Sequence, residues 1–268
     1  MRLAVLGLGE AGSLYAAGFA DLGHEVTAFD PLAPATPAGV TRAASPSAAV
    51  SAAELVLSLV GASAAEQAAE AALPHLADEA VYADMNTCSP ATKAALASSA
   101  AAHGVLFTDV AILAPVPRAG IRTPLLASGP GSLRFEELLT SAGVPITRIG
   151  AQDGDVGASA SLKLVRSVFM KGLAALLFET LSAAARQGDA DWMRQQITAE
   201  LDSGGEQLVE RLLEGTRAHA TRREREMRDA LEHLKSLDSP AWMTEATIRW
   251  LQEIAGNNGS APMATEDH

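Results

Sequence analysis

The chain has 268 residues, enough for one large domain or two modest ones with a full core. Hydrophobic residues make up 48% of it, which places it among globular rather than disordered chains. Its formal net charge of -12 argues against a nucleic-acid reader, because phosphate contacts need a basic face. The one basic run, Arg222, Arg223, Arg225 and Arg228, is broken by Glu224, Glu226 and Asp229 and reads as a solvated helix face.

The chain opens with the apolar run Leu3–Leu6, then Gly7-Leu8-Gly9-Glu10-Ala11-Gly12, then a helical pattern over Ala11–Leu22. A second apolar run, Val26–Phe29, ends in Asp30, eighteen residues beyond Gly12. Strand, tight turn, helix, strand and acid in this order make a dinucleotide-binding fingerprint. Gly7 lets the chain turn, Gly9 leaves room for the pyrophosphate, and Gly12 lets the helix pack on the strand. The helix N-terminus faces the phosphates, and Asp30 accepts from the adenosine ribose. FAD uses the same fingerprint, so the glycines alone leave flavin and nicotinamide open.

Further runs at Leu55–Val60, Val81–Asp84 and Val105–Asp109 read as buried parallel strands, with helices over Ser63–Leu73 and Pro90–Ala102. Ser89 before Pro90 is a good helix start. Leu125–Ser128 and Val144–Thr147 read as two more strands around a helix at Leu133–Ser141. The fold class is therefore α/β, an N-terminal doubly wound Rossmann sheet spanning 1–151. After the turn-like Gln152–Asp155 no strand pattern remains. Helices are expected over Val156–Gln187, Ala190–Thr198, Gly205–Leu213, Ala218–Leu237 and Thr244–Ile254, an all-α domain spanning 152–255. Residues 256–268 read as a polar, mobile tail.

Ligands of such sheets bind beyond the C-terminal strand ends. Val60, in an apolar and small stretch, suits a ribose or nicotinamide. Asn86 and Thr87 can hydrogen-bond cofactor or substrate, or can simply shape the turn before Ser89. Pro115, Val116, Pro117 and Arg118 form a stiff loop. Its arginine can fork onto a substrate carboxylate, or can lie exposed on the surface. In the first helix of the second half, Lys163, Ser167 and Met170 share one face at i, i+4 and i+7, and Lys171 is turned about a quarter circle away. A lysine amid small residues beside a nicotinamide can act as a general acid; the same spacing fits a lysine laying its stem along an amphipathic helix.

Cys88 is the only cysteine and stands in no metal-ligand cluster, so neither an intrachain disulfide nor a metal site is expected. The N-terminus enters a strand at once and no apolar run reaches about 18 unbroken residues. No signal peptide and no membrane span are expected, and the cytoplasm is the expected location.

Taken together, these motifs resemble the 6-phosphogluconate dehydrogenase-like group, which includes the β-hydroxyacid dehydrogenases. The likeness rests on Gly7–Gly12, on Asp84-Met-Asn-Thr87 with Pro90, on Ala114-Pro115-Val116, and on Gly157 through Lys163. It implies that Lys163 is the catalytic lysine, that the loop at Pro115–Arg118 binds substrate, and that the helical half pairs two subunits. Within a subgroup with its own C-terminal helical domain, suggested by the segment Lys163–Gly172 with His219–Arg223 and Met243-Thr244, it implies that His219, Arg222 and Arg223 approach the site; Lys171, His219 and Arg223 are expected to bind substrate. Three departures stand out: Pro117-Arg118-Ala119-Gly120 replaces a Ser-Gly-Gly loop, Ser159 a glycine, and Ser167 an asparagine, so the substrate is not inherited. The resulting expectation is an NAD-dependent oxidoreductase, with NADP the lesser alternative. It would move a hydride between the nicotinamide and a small, anionic hydroxy acid or the matching aldehyde or ketone. A homodimer, with no nucleic-acid or membrane partner, is expected. An imine reductase on the same fold, whose enzymes generally lack the lysine, and a non-catalytic dinucleotide sensor are the alternatives.

Overall fold

The computed structural model describes residues 1–150, 155–202 and 204–257. Most of the turn expected at Gln152–Asp155, and residues 258–268 of the expected tail, lie outside the described residues. The chain divides into two compact units within one long helix, between Arg166 and Ser167.

The first unit is a single sheet of eight strands among the described residues, in the order β3-β2-β1-β4-β5-β6-β7-β8. In chain order β1 (Arg2–Leu6), α1 (Glu10–Asp21) and β2 (Glu25–Phe29) lead to a short β3 (Val40–Arg42) and α2 (Pro46–Val50). Then come β4 (Leu55–Ser58), α3 (Ala65–Ala72), β5 (Val81–Asp84), α4 (Pro90–Ala101), β6 (Leu106–Ile112), β7 (Leu125–Ser128), α5 (Ser132–Thr140) and β8 (Ile146–Arg148). Sequence reading misses β3 and α2: three residues, two of them exposed, and one helical turn carry too little periodicity.

Because strand side chains alternate, each face of the sheet gathers its own core. Leu3, Val5, Leu55 and Leu57 pack with Tyr15 and Phe19 of α1 on one side. Ala4, Leu6, Val56 and Tyr82 pack with Leu96 of α4 on the other. The strands run parallel through β6. β7 pairs antiparallel with it, Asp109 opposite Ser128, since the connection holds two 3-10 turns and no crossover helix.

The helix α6 (Ala158–Gln187) begins in the first unit and continues into the second, which adds α7 (Ala190–Leu201), α8 (Gly205–Ser236) and α9 (Trp242–Asn257). The two helices expected over 205–213 and 218–237 are one element, interrupted at His219, whose φ of -127° and ψ of 23° are not helical. The Glu179 carboxylate accepts from the backbone N–H of Met243 at 2.7 Å and of Thr244 at 2.9 Å, and from the Thr244 hydroxyl at 2.7 Å. A buried anion thus caps α9, whose first N–H groups and dipole favour negative charge. The expectation that no segment qualifies as a membrane span does not hold for α6. Its few charged residues dilute the apolar run without removing it, and by length and composition this helix is long and apolar enough to cross a membrane.

Candidate functional site

The glycines of the first turn are used for different physical ends. Gly7 has φ +93°, and a Cβ there would lie 2.5 Å from the Leu59 carbonyl oxygen. A Cβ on Gly12 would lie 1.9 Å from the Gly7 carbonyl oxygen, so helix and turn touch backbone to backbone. Gly9 is the opposite case: a Cβ there would meet nothing within 4 Å. It also stands at the N-cap of α1, where no side chain closes the helix end. Open space above unclaimed helix N–H groups is a cradle for an anion.

Asp30 completes this turn. Its Oδ2 accepts from Leu8 N–H at 2.7 Å, and its Oδ1 accepts from the N–H of Leu32 at 2.7 Å and of Ala33 at 3.0 Å. Burial alone would raise its pKa; those three backbone donors and the nearby Arg42 charge outweigh burial and hold the carboxyl below its ordinary range. Arg42 donates to the Asp30 carbonyl and lies 3.4 Å from the Thr36 hydroxyl.

A cavity of about 490 Å³ opens here, lined by Gly7, Gly9, Asp30 and Val60 from the expected set. Leu6, Phe29, Pro31, Leu32 and Leu59, at or just beyond the ends of β1, β2 and β4, and Pro46, Ala64, Gln67, Ala68 and Ala71 complete its wall. Pro46, Ala64, Gln67, Ala68 and Ala71 escape sequence reading because they come from α2, α3 and the segment before α3, which only the fold brings to the glycine turn. Leu8 contributes its N–H and is buried, Gly12 is buried against Gly7, Ala11 is half-buried and Glu10 is exposed.

Asn86 faces inward rather than toward this cavity. Its Oδ1 accepts from Gly61 N–H at 2.7 Å, and its amide donates to the Ser58 hydroxyl at 3.1 Å and to the Asp84 carboxylate. It therefore braces the loop after β4. Thr87 is exposed, and Cys88 is buried, with burial and the Asp84 charge pushing its thiol pKa up, as befits an inert side chain.

Beyond Asn86 lies a buried ion group that the sequence reading leaves unassigned. The sheet register sets Leu6 beside Ser58, Ser58 beside Asp84 and Asp84 beside Asp109, one level across the sheet at the C-terminal ends of β1, β4 and β5. Lys93 of α4 reaches this level. Its ammonium lies 2.6 Å from Asp84 Oδ2 and 3.0 Å from Asp109 Oδ1, and donates to the Asp84 carbonyl at 2.8 Å. All three side chains are 1% exposed or less. One signal was legible: Lys93 shares with Leu96 and Ala100 the buried stripe of α4, a place where an unpaired lysine would be costly.

Asp109 also holds the start of α6. Its Oδ2 accepts from Ala160 N–H at 2.9 Å, while Ser159 N–H donates to the Ser128 hydroxyl at 3.1 Å. Lys163 and Ser167 continue the stripe begun by these anchored residues, and both are half-buried where Leu162, Leu164 and Arg166 are exposed. Met170 and Lys171 are exposed. In the loop expected to bind substrate, Val116 is buried in the core, whereas Pro115, Pro117 and Arg118 are exposed. The loop is seated on α1, where a Cβ on Gly18 would lie 2.6 Å from Ile121. Within the second unit His219 is exposed at the break in α8, and half-buried Arg223 donates to the Thr216 hydroxyl at 2.5 Å. Among the described residues no group of three or more His, Cys, Asp or Glu side chains is placed to hold a metal.

Comparison with known proteins agrees with this geometry. Residues 2–149 match the family described as the NAD-binding domain of 6-phosphogluconate dehydrogenase, and residues 184–254 a domain of unknown function, DUF1932. A curated relative, an uncharacterised 28.5 kDa protein of Methanothermus fervidus, is 27% identical over 181 residues, 65% of this chain and 66% of that protein. The chain thus spans just under two thirds of that relative. A solved conserved protein of unknown function, reported as structurally similar to 3-hydroxyacid dehydrogenases, is 28% identical with TM-score 0.61, covering 97% of this chain and all of that one. A variant of an imine reductase of Myxococcus stipitatus, solved with NAD+, shares the fold at TM-score 0.78 and 18% identity, covering 98% of this chain and 96% of that one.

Proposed function

The chain belongs to the family defined by the NAD-binding domain of 6-phosphogluconate dehydrogenase, and from that premise we propose that it is an oxidoreductase acting on a small hydroxy acid or the matching aldehyde or ketone. The bound nicotinamide would supply or accept the hydride. Gly7, Gly9 and the start of α1 would hold its pyrophosphate, and Asp30 its adenosine ribose. The chain's own chemical contribution is a proton. A carbonyl oxygen that gains negative charge on reduction needs one, and Lys163 Nζ can donate it; in the reverse direction the same nitrogen takes the hydroxyl proton. Ser167, one turn on along the same half-buried stripe, can orient the substrate or the ammonium.

The observation that carries this reading is the fastening of α6. Asp109 and Ser128 tie its first turn to the strand level next to the glycine turn, and Lys163 follows on the anchored face. A lysine that merely laid its stem along a surface helix would need no such anchor. The loop at Pro115–Arg118, packed on α1, would offer the Arg118 guanidinium to an anionic substrate.

Screening hydroxy acids with NAD, and aldehydes, keto acids and cyclic imines with NADH, by nicotinamide absorbance tests the proposal. Turnover of a hydroxy acid or its carbonyl partner, lost in Lys163→Ala, supports it. Turnover of cyclic imines alone, kept in Lys163→Ala, would favour an imine reductase. Tight NADH binding without turnover on any class would favour a sensor.

A further inference from the structure

The buried group around Lys93 has two carboxylates for one ammonium. Such an excess of negative charge away from water is costly unless each carboxylate has further donors. Each does, and the donors point in different directions. Asp84 accepts from the amide of Asn86, whose own oxygen accepts from Gly61 N–H at 2.7 Å, next to Val60 in the wall of the dinucleotide cavity. Asp109 accepts from Ala160 N–H at 2.9 Å, in the first turn of α6, where the helix dipole also favours an anion. Ala160 precedes Lys163 by three residues, on the same face.

We infer that Lys93 is a positioning residue with two arms: through Asp84 and Asn86 it sets the Gly61 rim of the dinucleotide cavity, and through Asp109 it sets the helix that carries Lys163. The second arm rests on the reading of Lys163 as the proton donor; the first does not. A single ammonium that bridges two acids from neighbouring strands fixes both at one spacing. The loop on one side and the helix on the other then keep a common reference.

Removing either acid leaves Lys93 paired one to one with the other, so each arm can be cut without stranding a buried charge. Amide hydrogen exchange by mass spectrometry reads the arms separately and needs no turnover. Asp109→Ala should raise exchange at residues 158–163 by about tenfold or more and leave residues 59–63 within about twofold. Its turnover on the substrate found by screening should fall by about tenfold or more, with the NADH dissociation constant nearly unchanged. Asp84→Ala should do the reverse: faster exchange at 59–63, NADH affinity lower by about fivefold or more, and residues 158–163 still protected. Lys93→Met, which leaves the two carboxylates facing each other, should loosen both segments. If either alanine variant fails to fold, Asp109→Val and Asp84→Val, which fill more of the vacated space and still offer no acceptor, carry the same comparison. Equal loosening of both segments in both acid variants, in proportion to lost melting temperature, would overturn the proposal and leave the group as general support for the core. If Asp109→Ala loosens 158–163 while Lys163→Ala keeps full turnover, the positioning arm stands and the role given to Lys163 falls.

Discussion

At the scale of single residues, the proposed function turns on two side chains. On the proposed placement of the cofactor, Asp30 faces the 2′-phosphate that NADP would bring, and its depressed pKa keeps it charged throughout the neutral range. The sequence shows no base between Pro31 and Pro37 to offset that charge. The fold brings one: β3 pairs with β2 so that Arg42 lies opposite Ala28, and its guanidinium reaches the Asp30 carbonyl. Since Asp30 already has three backbone donors, we predict that its charge still dominates. NAD should bind at least about tenfold tighter than NADP, about 1.4 kcal/mol, in calorimetric titration. Arg42→Ala should widen that margin, and equal or tighter NADPH binding would contradict the assignment. The second residue is Lys163. Its replacement by alanine should lower turnover by about 10²–10⁴-fold, the range for a positioned acid–base group, with little change in NADH affinity. Lys171→Ala, on the exposed side of the same helix, should cost at least about ten times less. Equal effects of the two substitutions would move the assignment away from Lys163.

At the scale of elements, the legible parts were those in which one element carries its own signal. The runs at Val81–Asp84 and Leu125–Ser128 are strands with those bounds, because four consecutive buried residues need no partner to be recognised. The glycine turn was legible for the same reason: turn, cradle and packing contact lie within six residues. What escaped depends on neighbours distant in sequence. The antiparallel course of β7 follows from a connection that holds two 3-10 turns and no crossover helix. The Lys93 group needs α4, β5 and β6 side by side, and Asn86, read as a ligand contact or turn residue, has its side chain turned inward by Gly61 and Ser58. Glu179 is a further example, since its role appears only once α9 is placed on α6. Glu179→Ala removes three hydrogen bonds from the start of α9. It should destabilise the second unit by about 1–2 kcal/mol, the upper range for a helix cap, seen as a lower midpoint in urea unfolding. An unchanged midpoint would show that water replaces the cap at no cost.

At the scale of the whole molecule, the helical unit leaves much apolar surface uncovered. Val168 is 75% exposed, Phe169 63%, Phe178 77% and Trp242 76%. Large apolar side chains left this exposed suit an interaction surface. With a net charge of -12 the chain gains nothing from an anionic lipid surface, and we propose a second copy as the occupant. Light scattering at micromolar concentration should give the mass of a homodimer, and Phe169→Glu with Phe178→Glu should give a monomer. A wild-type monomer, or protein recovered only with vesicles, would reject that arrangement. The dinucleotide site itself can be tested without any substrate. A Cβ on Gly9 meets nothing, so Gly9→Val should fold and melt like the wild type while its side chain fills the pyrophosphate cradle. Calorimetric titration of NADH into both proteins is the most direct measurement. We predict binding by the wild type and at least about 100-fold weaker binding by Gly9→Val, about 2.7 kcal/mol, at equal melting temperature; equal NADH affinity in the two proteins would contradict the placement of the cofactor in this cavity.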